Sequence, residues 1–225
     1  MTARPPLQLN TLLTPCHSAD VILPFTPHAA RPHGRPLLVI GASTGGTEAL
    51  KTLLSALPPT MPPILVVQHM PEMFTGPFAT RLDGLMPLSV CEAQAGQKLE
   101  FGRVYIAPGN AHLLVKTQGG SLVTALSYEA EVNRHRPAVD VLFRSAANVA
   151  GASALAVILT GMGRDGAKGM VELKQTGAYT IAQDQASCVV FGMPKEAIAT
   201  GAIDEVLPLD RIAARLVALC QRRVA

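Results

Sequence analysis

The chain has 225 residues, 48% of them hydrophobic and 16% charged, and a net charge of +3, a balance that excludes a disordered segment and supplies a sizeable core. Three arginines against one aspartate in residues 1–36 carry most of that charge, which leaves the remainder too evenly balanced for a nucleic-acid binder. No apolar run reaches the roughly 18 residues of a membrane helix, no apolar leader opens the chain, and the four cysteines form no C-x-x-C pair, so reduced thiols and a cytoplasmic location are expected.

Residues 1–36 hold seven of the eighteen prolines, a density that forbids a long helix and discourages a central strand. They read as a Pro-rich linker or tail, with Val21-Ile22-Leu23 suited to packing on the body. His17, His28 and His33 also fall here, but their spacing fits no tight ligand pair and implies no metal site. From Pro36 on, apolar runs alternate with helical patterns. Leu37-Leu38-Val39-Ile40 leads into Gly41-Ala42-Ser43-Thr44-Gly45-Gly46. A helix follows with Ala49, Leu50, Leu53, Leu54 and Leu57 at 3.6-residue spacing. Ile64-Leu65-Val66-Val67-Gln68 is a second buried strand, running straight into His69. Residues 72–85 predict a helix broken at Gly76-Pro77, and strands are predicted at 89–93 and 103–107.

Apolar runs 112–116 and 121–127 flank Thr117-Gln118-Gly119-Gly120, a hairpin signal that makes part of the sheet antiparallel. Pro137 suits a first helical turn, and Val139, Leu142, Phe143, Ala146 and Ala150 then share one face. Residues 154–159 form another apolar run, ending in Thr160-Gly161-Met162-Gly163-Arg164-Asp165-Gly166. A helix to about Gln175 stops at Gly177. A strand at 178–182, a short helix from Pro194 to Gly201, a strand at 205–207 and an amphipathic helix at 209–220 complete the chain. The alternation predicts a three-layer α/β fold over residues 37–225: a doubly wound, mostly parallel sheet with helices on both faces and an antiparallel hairpin. In such a sheet the parallel strands end at one edge, where catalytic and binding groups gather.

Ser43, His69 and Asp165 each lie at or just after the end of an apolar run, hence on that edge. A serine between glycines at a strand-to-helix turn, with the pattern G-x-S-x-G, is held where a substrate reaches it. An imidazole to take its proton and a carboxylate to orient the imidazole complete the requirement for nucleophilic acyl transfer. His112, opening a predicted hairpin strand, and His135, in the polar run Asn133-Arg134-His135-Arg136, are weaker candidates for the base. A rival reading rests on Gly161-Met162-Gly163-Arg164-Asp165-Gly166, a literal G-x-G-x-x-G between strand and helix, with Asp184 ending the next strand. Against a dinucleotide there, Asp165 sets a carboxylate beside the pyrophosphate. A third reading is a non-catalytic binding module, against which the intact trio of Ser43, His69 and Asp165 counts.

Six motifs now bear on the choice: Gly41-Ala42-Ser43-Thr44-Gly45-Gly46-Thr47-Glu48, Gln68-His69-Met70-Pro71, Tyr105-Ile106-Ala107-Pro108-Gly109, Asn133-Arg134-His135-Arg136-Pro137, the Thr160–Gly166 run, and Ser187-Cys188-Val189-Val190-Phe191-Gly192-Met193-Pro194. In this order they resemble the catalytic domain of the CheB family, the chemotaxis receptor methylesterases, over about residues 37–220. The resemblance implies a serine hydrolase that removes methyl esters from glutamates on chemoreceptor signalling helices, and many members also deamidate receptor glutamines. It implies Ser43 as nucleophile, His69 as general base and Asp165 as its orienting carboxylate, with no metal or organic cofactor and no membrane insertion. It places the Met162 N–H at the oxyanion, while the physics of a helix start equally allows N–H groups around Thr44 and Gly45. Family members of the usual design begin with a phosphorylated receiver domain. This sequence carries none, residues 1–36 look like the linker that would follow it, and activity independent of phosphorylation is the expectation.

Overall fold

The computed structural model describes residues 16–26 and 36–224. Most of the proline-rich stretch, with His28 and His33, thus lies outside the described residues. The strands in chain order are β1 (Leu37–Ala42), β2 (Ile64–Gln68), β3 (Ser89–Glu92), β4 (Arg103–Ile106), β5 (His112–Gln118), β6 (Ser121–Ser127), β7 (Ala154–Ile158), β8 (Tyr179–Gln183) and β9 (Glu205–Leu207). The helices are α1 (Gly46–Ser55), α2 (Glu72–Asp83), α3 (Val139–Ala150), α4 (Ala167–Gln175), α5 (Met193–Ala199) and α6 (Leu209–Val224).

Seven strands form one wholly parallel sheet in the order β3-β4-β2-β1-β7-β8-β9. The central strand β1 is buried at all six positions, and β2 and β7 at all five, as a parallel sheet covered on both faces requires. Alternate side chains divide the core. Leu37, Val39, Leu65 and Val67 face a layer containing Val139, Leu142 and Phe143 of α3, Met170 and Leu173 of α4, and Ala197 of α5. Leu38, Ile40, Ile64 and Val66 face Leu50, Leu53 and Leu54 of α1, Leu82 of α2, and Ile212 and Leu216 of α6.

Two expectations change. The hairpin pairs β5 with β6 in register from His112↔Ser127 to Gln118↔Ser121, but it is a separate two-stranded sheet packed beside α3, not part of the main sheet. The helix at 72–83 is not broken at Gly76-Pro77: Pro77 lies inside it. Proline there forfeits only the bond to the carbonyl four residues back, that of Met73, a residue 73% exposed and so open to water.

β1 sits between β2 and β7, so the chain winds outward from it in both directions. The crevice at the carboxyl ends of β1 and β7 is the switch point where such sheets place their chemistry. The chain leaves β1 for α1 on one face and β7 for α4 on the other.

Candidate active site

Ser43 follows the last residue of β1, His69 the last of β2, and Asp165 lies in the loop from β7 to α4. The structure brings these three loops together. Ser43 N–H donates to Thr160 O at 3.0 Å and His69 N–H to Ala42 O at 3.1 Å, so main-chain bonds extend the sheet into the loops. Gln68, 3% exposed at the end of an otherwise apolar strand, turns its side-chain amide to the carbonyls of Ser43 and His69, both at 3.0 Å. That side chain ties the serine loop to the histidine loop. Gly45 opens α1 in the left-handed region at φ +79°, which a side chain would resist, and this bends the chain sharply after Ser43.

His69 Nε2 lies 2.8 Å from Asp165 Oδ2, and both side chains are buried, at 8% and 1% exposure. Asp165 accepts three further bonds: from Val139 N–H at 2.7 Å, from Asp140 N–H at 3.1 Å and from the Asn133 amide at 2.8 Å. The first two are orphan donors of the α3 N-terminus, so the carboxylate also caps that helix from another loop. Burial alone would raise the Asp165 pKa. The hydrogen bond and charge of His69, with the Asn133 and Val139 donors, outweigh it and hold the carboxyl below its ordinary value. An ionised carboxylate only accepts, so the proton of that bond belongs to His69 Nε2 and the lone pair of the ring to Nδ1. Nδ1 is buried with no hydrogen-bond partner, and the Ser43 hydroxyl likewise has none among the described residues.

Two residues absent from the predicted trio complete the arrangement. The imidazole of His135 stacks on that of His69, with ring centroids 3.7 Å apart and planes at 16°. Burial, and then the charge His69 carries once protonated, lowers the His135 pKa, which favours the neutral form of the stacked ring. Asn133 donates to Asp140 at 2.6 Å as well as to Asp165, bridging two buried carboxylates. The sequence signal for both was the polar run before Pro137. Their placement follows from a tight turn at 132–135 with Asn133 and Arg134 in the left-handed region. His112 is structural: it is fully buried, bonding Ala130 O at 3.0 Å and accepting from Ala138 N–H at 3.2 Å.

Asp140 contrasts with Asp165. Burial first, and then the charge of Asp165, pushes its pKa up to about 6. A carboxyl raised by folding binds its proton more tightly in the native state, so its contribution to stability falls as pH rises from the ordinary carboxylate range toward 6. Urea unfolding of wild type and Asp140→Asn is expected to reflect this: the variant gains relative to wild type between pH 4 and pH 7. A difference that is constant with pH would contradict it.

The N–H groups of Thr44, Gly45 and Met162 make no hydrogen bond among the described residues, and Met162 is 72% exposed. The loop bearing Met162 runs close to Ser43, since a Cβ on Gly161 would lie 2.7 Å from Ser43 Cβ and 2.4 Å from Met193 Sδ. Gly192 similarly faces Gly161 O. Two glycines of the G-x-G-x-x-G run thus serve close packing within the fold, Gly161 as above and Gly166, at φ +93°, against Val139 and Ile158, while Gly163, at φ +90°, faces open space. Asp184 accepts from Ser187 N–H at 3.0 Å within its own loop. Among the described residues no cluster of three or more His, Cys, Asp or Glu side chains is arranged for a metal, and no helix is long and apolar enough to cross a membrane. Cys16, Cys91 and Cys188 form no disulfide.

The sequence matches the CheB methylesterase family over residues 38–216. It is 59% identical over 182 residues to a protein-glutamate methylesterase/protein-glutamine glutaminase of Burkholderia pseudomallei, covering 81% of this chain and 50% of that protein. A counterpart from Geobacter metallireducens is 56% identical over 200 residues, 89% of this chain and 55% of its own length. The chain therefore spans about half the length of the curated relatives it matches. The crystal structure of the Thermotoga maritima CheB methylesterase catalytic domain superposes with a TM-score of 0.80 at 46% identity, covering 82% of this chain and 98% of that one.

Proposed function

The chain belongs to the CheB methylesterase family, and from that premise we propose that Ser43, His69 and Asp165 form a catalytic triad hydrolysing glutamate methyl esters on the cytoplasmic helices of chemoreceptors. The same site deamidates receptor glutamines, in keeping with the double names of the relatives. The observation that carries the reading is the buried His69–Asp165 pair, with Nδ1 making no hydrogen bond and the His69 main chain bonded to Ala42, the residue before Ser43.

Ser43 Oγ attacks the glutamyl carbonyl carbon while His69 Nδ1 takes the hydroxyl proton. Asp165 steadies the imidazolium through Nε2, and the neutral His135 ring stacked on it adds no opposing charge. The carbonyl π pair moves onto oxygen. The N–H groups of Thr44, Gly45 and Met162, which make no other hydrogen bond among the described residues, receive that charge, each such donor supplying about 3 kcal/mol. The oxyanion collapses, the C–O bond to methanol breaks, and methanol leaves with the proton from Nδ1. Water then attacks the acyl-enzyme with His69 again as base, Ser43 departs with that proton, and the glutamic acid formed releases its own proton to solvent as the carboxylate. With a glutamine the leaving group is ammonia and the remaining steps are the same.

The test is methanol release from methylated receptor membranes, with and without a fluorophosphonate. One equivalent of probe on Ser43, with loss of release in proportion, is the expected result. Full release from quantitatively labelled protein, or labelling at another residue, would refute the reading. A dinucleotide site on the 161–166 loop would instead leave release unaffected and bind NAD or NADP.

A further inference from the structure

Residues 17–26 run as a strap across α3 and α4, anchored along their length. Its centre is a short 3-10 turn, Ala19–Val21. Ala19 is 1% exposed in a cluster with Leu114, Val132, Ala138 and Val141, and Ile22 and Leu23 pack against it while Val21 faces solvent. Arg144 of α3 is the main anchor. Its side chain is 1% exposed, its Nε donates to Glu172 of α4 at 2.9 Å, and its Nη1 donates to Asp20 at 2.7 Å and to Leu23 O at 3.0 Å. Lys168 Nζ adds a 2.8 Å contact to Asp20. Asn148 binds the strap twice, through Pro24 O at 2.9 Å and Thr26 N–H at 2.8 Å. A buried guanidinium that depends on the strap for two of its partners ties the segment to the domain more firmly than a solvated linker requires.

The other end of the strap leads to the reaction centre. His17 pairs with Val132 in a parallel bridge, and His17 O accepts Asn133 N–H at 2.9 Å. Asn133 is held at φ +53° and Arg134 at φ +67°. In that conformation the Asn133 amide reaches Asp165 and the next ring but one, His135, lies flat on His69. One turn therefore touches two of the three proposed catalytic groups, and its outer main-chain bond comes from the strap.

We propose that residues 17–26 are a positioning strap for the esterase site, setting the 132–135 turn and through it the orientation of Asp165 and His69. This rests on the triad reading above. The strap touches no reacting atom and acts only through Asn133 and His135. Lifting it lets Asn133 leave the left-handed region, which costs a non-glycine residue free energy to hold. The His69 ring then loses its stacked support and Nδ1 its fixed aim. Misaligning a base in this way lowers the rate of the chemical step and leaves ground-state binding alone.

The test compares two full-chain variants with wild type. Ala19→Arg forces a long charged side chain into a filled site. The Asp20→Ala/Asn148→Ala double variant removes strap anchors while Arg144 keeps Glu172, and serves if Ala19→Arg does not fold. Hydrogen exchange of the 17–26 amides reports release of the strap. Expected alongside it are a kcat about 10- to 100-fold lower, an unchanged KM, and slower fluorophosphonate labelling of Ser43 in step with kcat. Asp20→Glu, which keeps the charge, should retain most of the activity. Faster exchange with wild-type kcat and labelling would overturn the proposal and leave the segment a mere tether. A Ser43→Ala control separates the two readings. If it still releases methanol, the triad fails. If it is inactive while the lifted strap costs nothing, only the strap proposal fails.

Discussion

Ser43→Ala is expected to lower kcat for methanol release on the order of a millionfold, because nucleophile and base act as a unit and neither works without the other. The substitution deletes one oxygen that makes no hydrogen bond among the described residues, at a half-buried position. The main-chain bond from Ser43 N–H to Thr160 O and the Gln68 bond to Ser43 O do not involve the hydroxyl and persist. The variant should therefore fold and melt like wild type and still bind methylated receptor. Circular dichroism melting and single-turnover methanol release check the two halves separately. Activity within tenfold of wild type would remove Ser43 from the chemistry.

Asp165→Asn should lower kcat about 10,000-fold, and unlike Ser43→Ala it should also destabilise the fold. Each Asp165 oxygen accepts two bonds: Oδ2 from His69 and Val139 N–H, Oδ1 from the Asn133 amide and Asp140 N–H. An asparagine must put an NH2 group where one of those oxygens stood, facing two donors. If the NH2 meets His69, it forces the proton onto Nδ1, the wrong tautomer for taking one from Ser43. If it meets Asn133 and Asp140, the donors of the bridge and of the α3 start are left unpaired, at about 1–3 kcal/mol for a buried group. The sign of the pH effect follows from the depressed pKa of Asp165: its stabilisation is present above the ordinary carboxylate value and is lost as pH falls through the lower folded value. Urea unfolding should thus show a gap between wild type and variant at pH 7 that narrows in strong acid. A gap that widens there, or a kcat near wild type, would contradict the role assigned to this residue.

Much of the fold is legible in the chain. The unbroken apolar runs at 37–40, 64–67 and 154–159 mark strands buried on both faces, and Gly45 and Gly166 mark the sharp turns into α1 and α4. What is local in sequence is readable, and what depends on a distant partner is not. Gly119-Gly120 announces that β5 and β6 pair, but cannot say whether the pair joins a larger sheet. Pro77 predicts a break because the exposure of the carbonyl it leaves open is invisible in the sequence. At the site, Ser43, His69 and Asp165 are found by their common position after strands. Asn133 and His135 stand in the sequence only as members of a polar motif, His135 as a weaker candidate for the base, with no sign of what either touches. Their placement needs a left-handed turn pinned by His17, more than a hundred positions earlier in the chain. Which nitrogen of His69 faces the acid is equally hidden, since ring orientation sets it, and here it is Nε2.

The order of strands has a consequence for how the protein comes into being. β1 borders β2, its near neighbour in the chain, on one side, and β7 on the other, and the acid and imidazole that meet at 2.8 Å are separated by 96 residues. A nascent polypeptide emerging from the ribosome can pair β1 with β2 early, but the flank of β1 that β7 will occupy stays open until the hairpin, α3 and β7 have been made. The loops after β1 and β2 are thus translated long before the loop after β7, and on the triad reading the site stays incomplete until that later loop has docked.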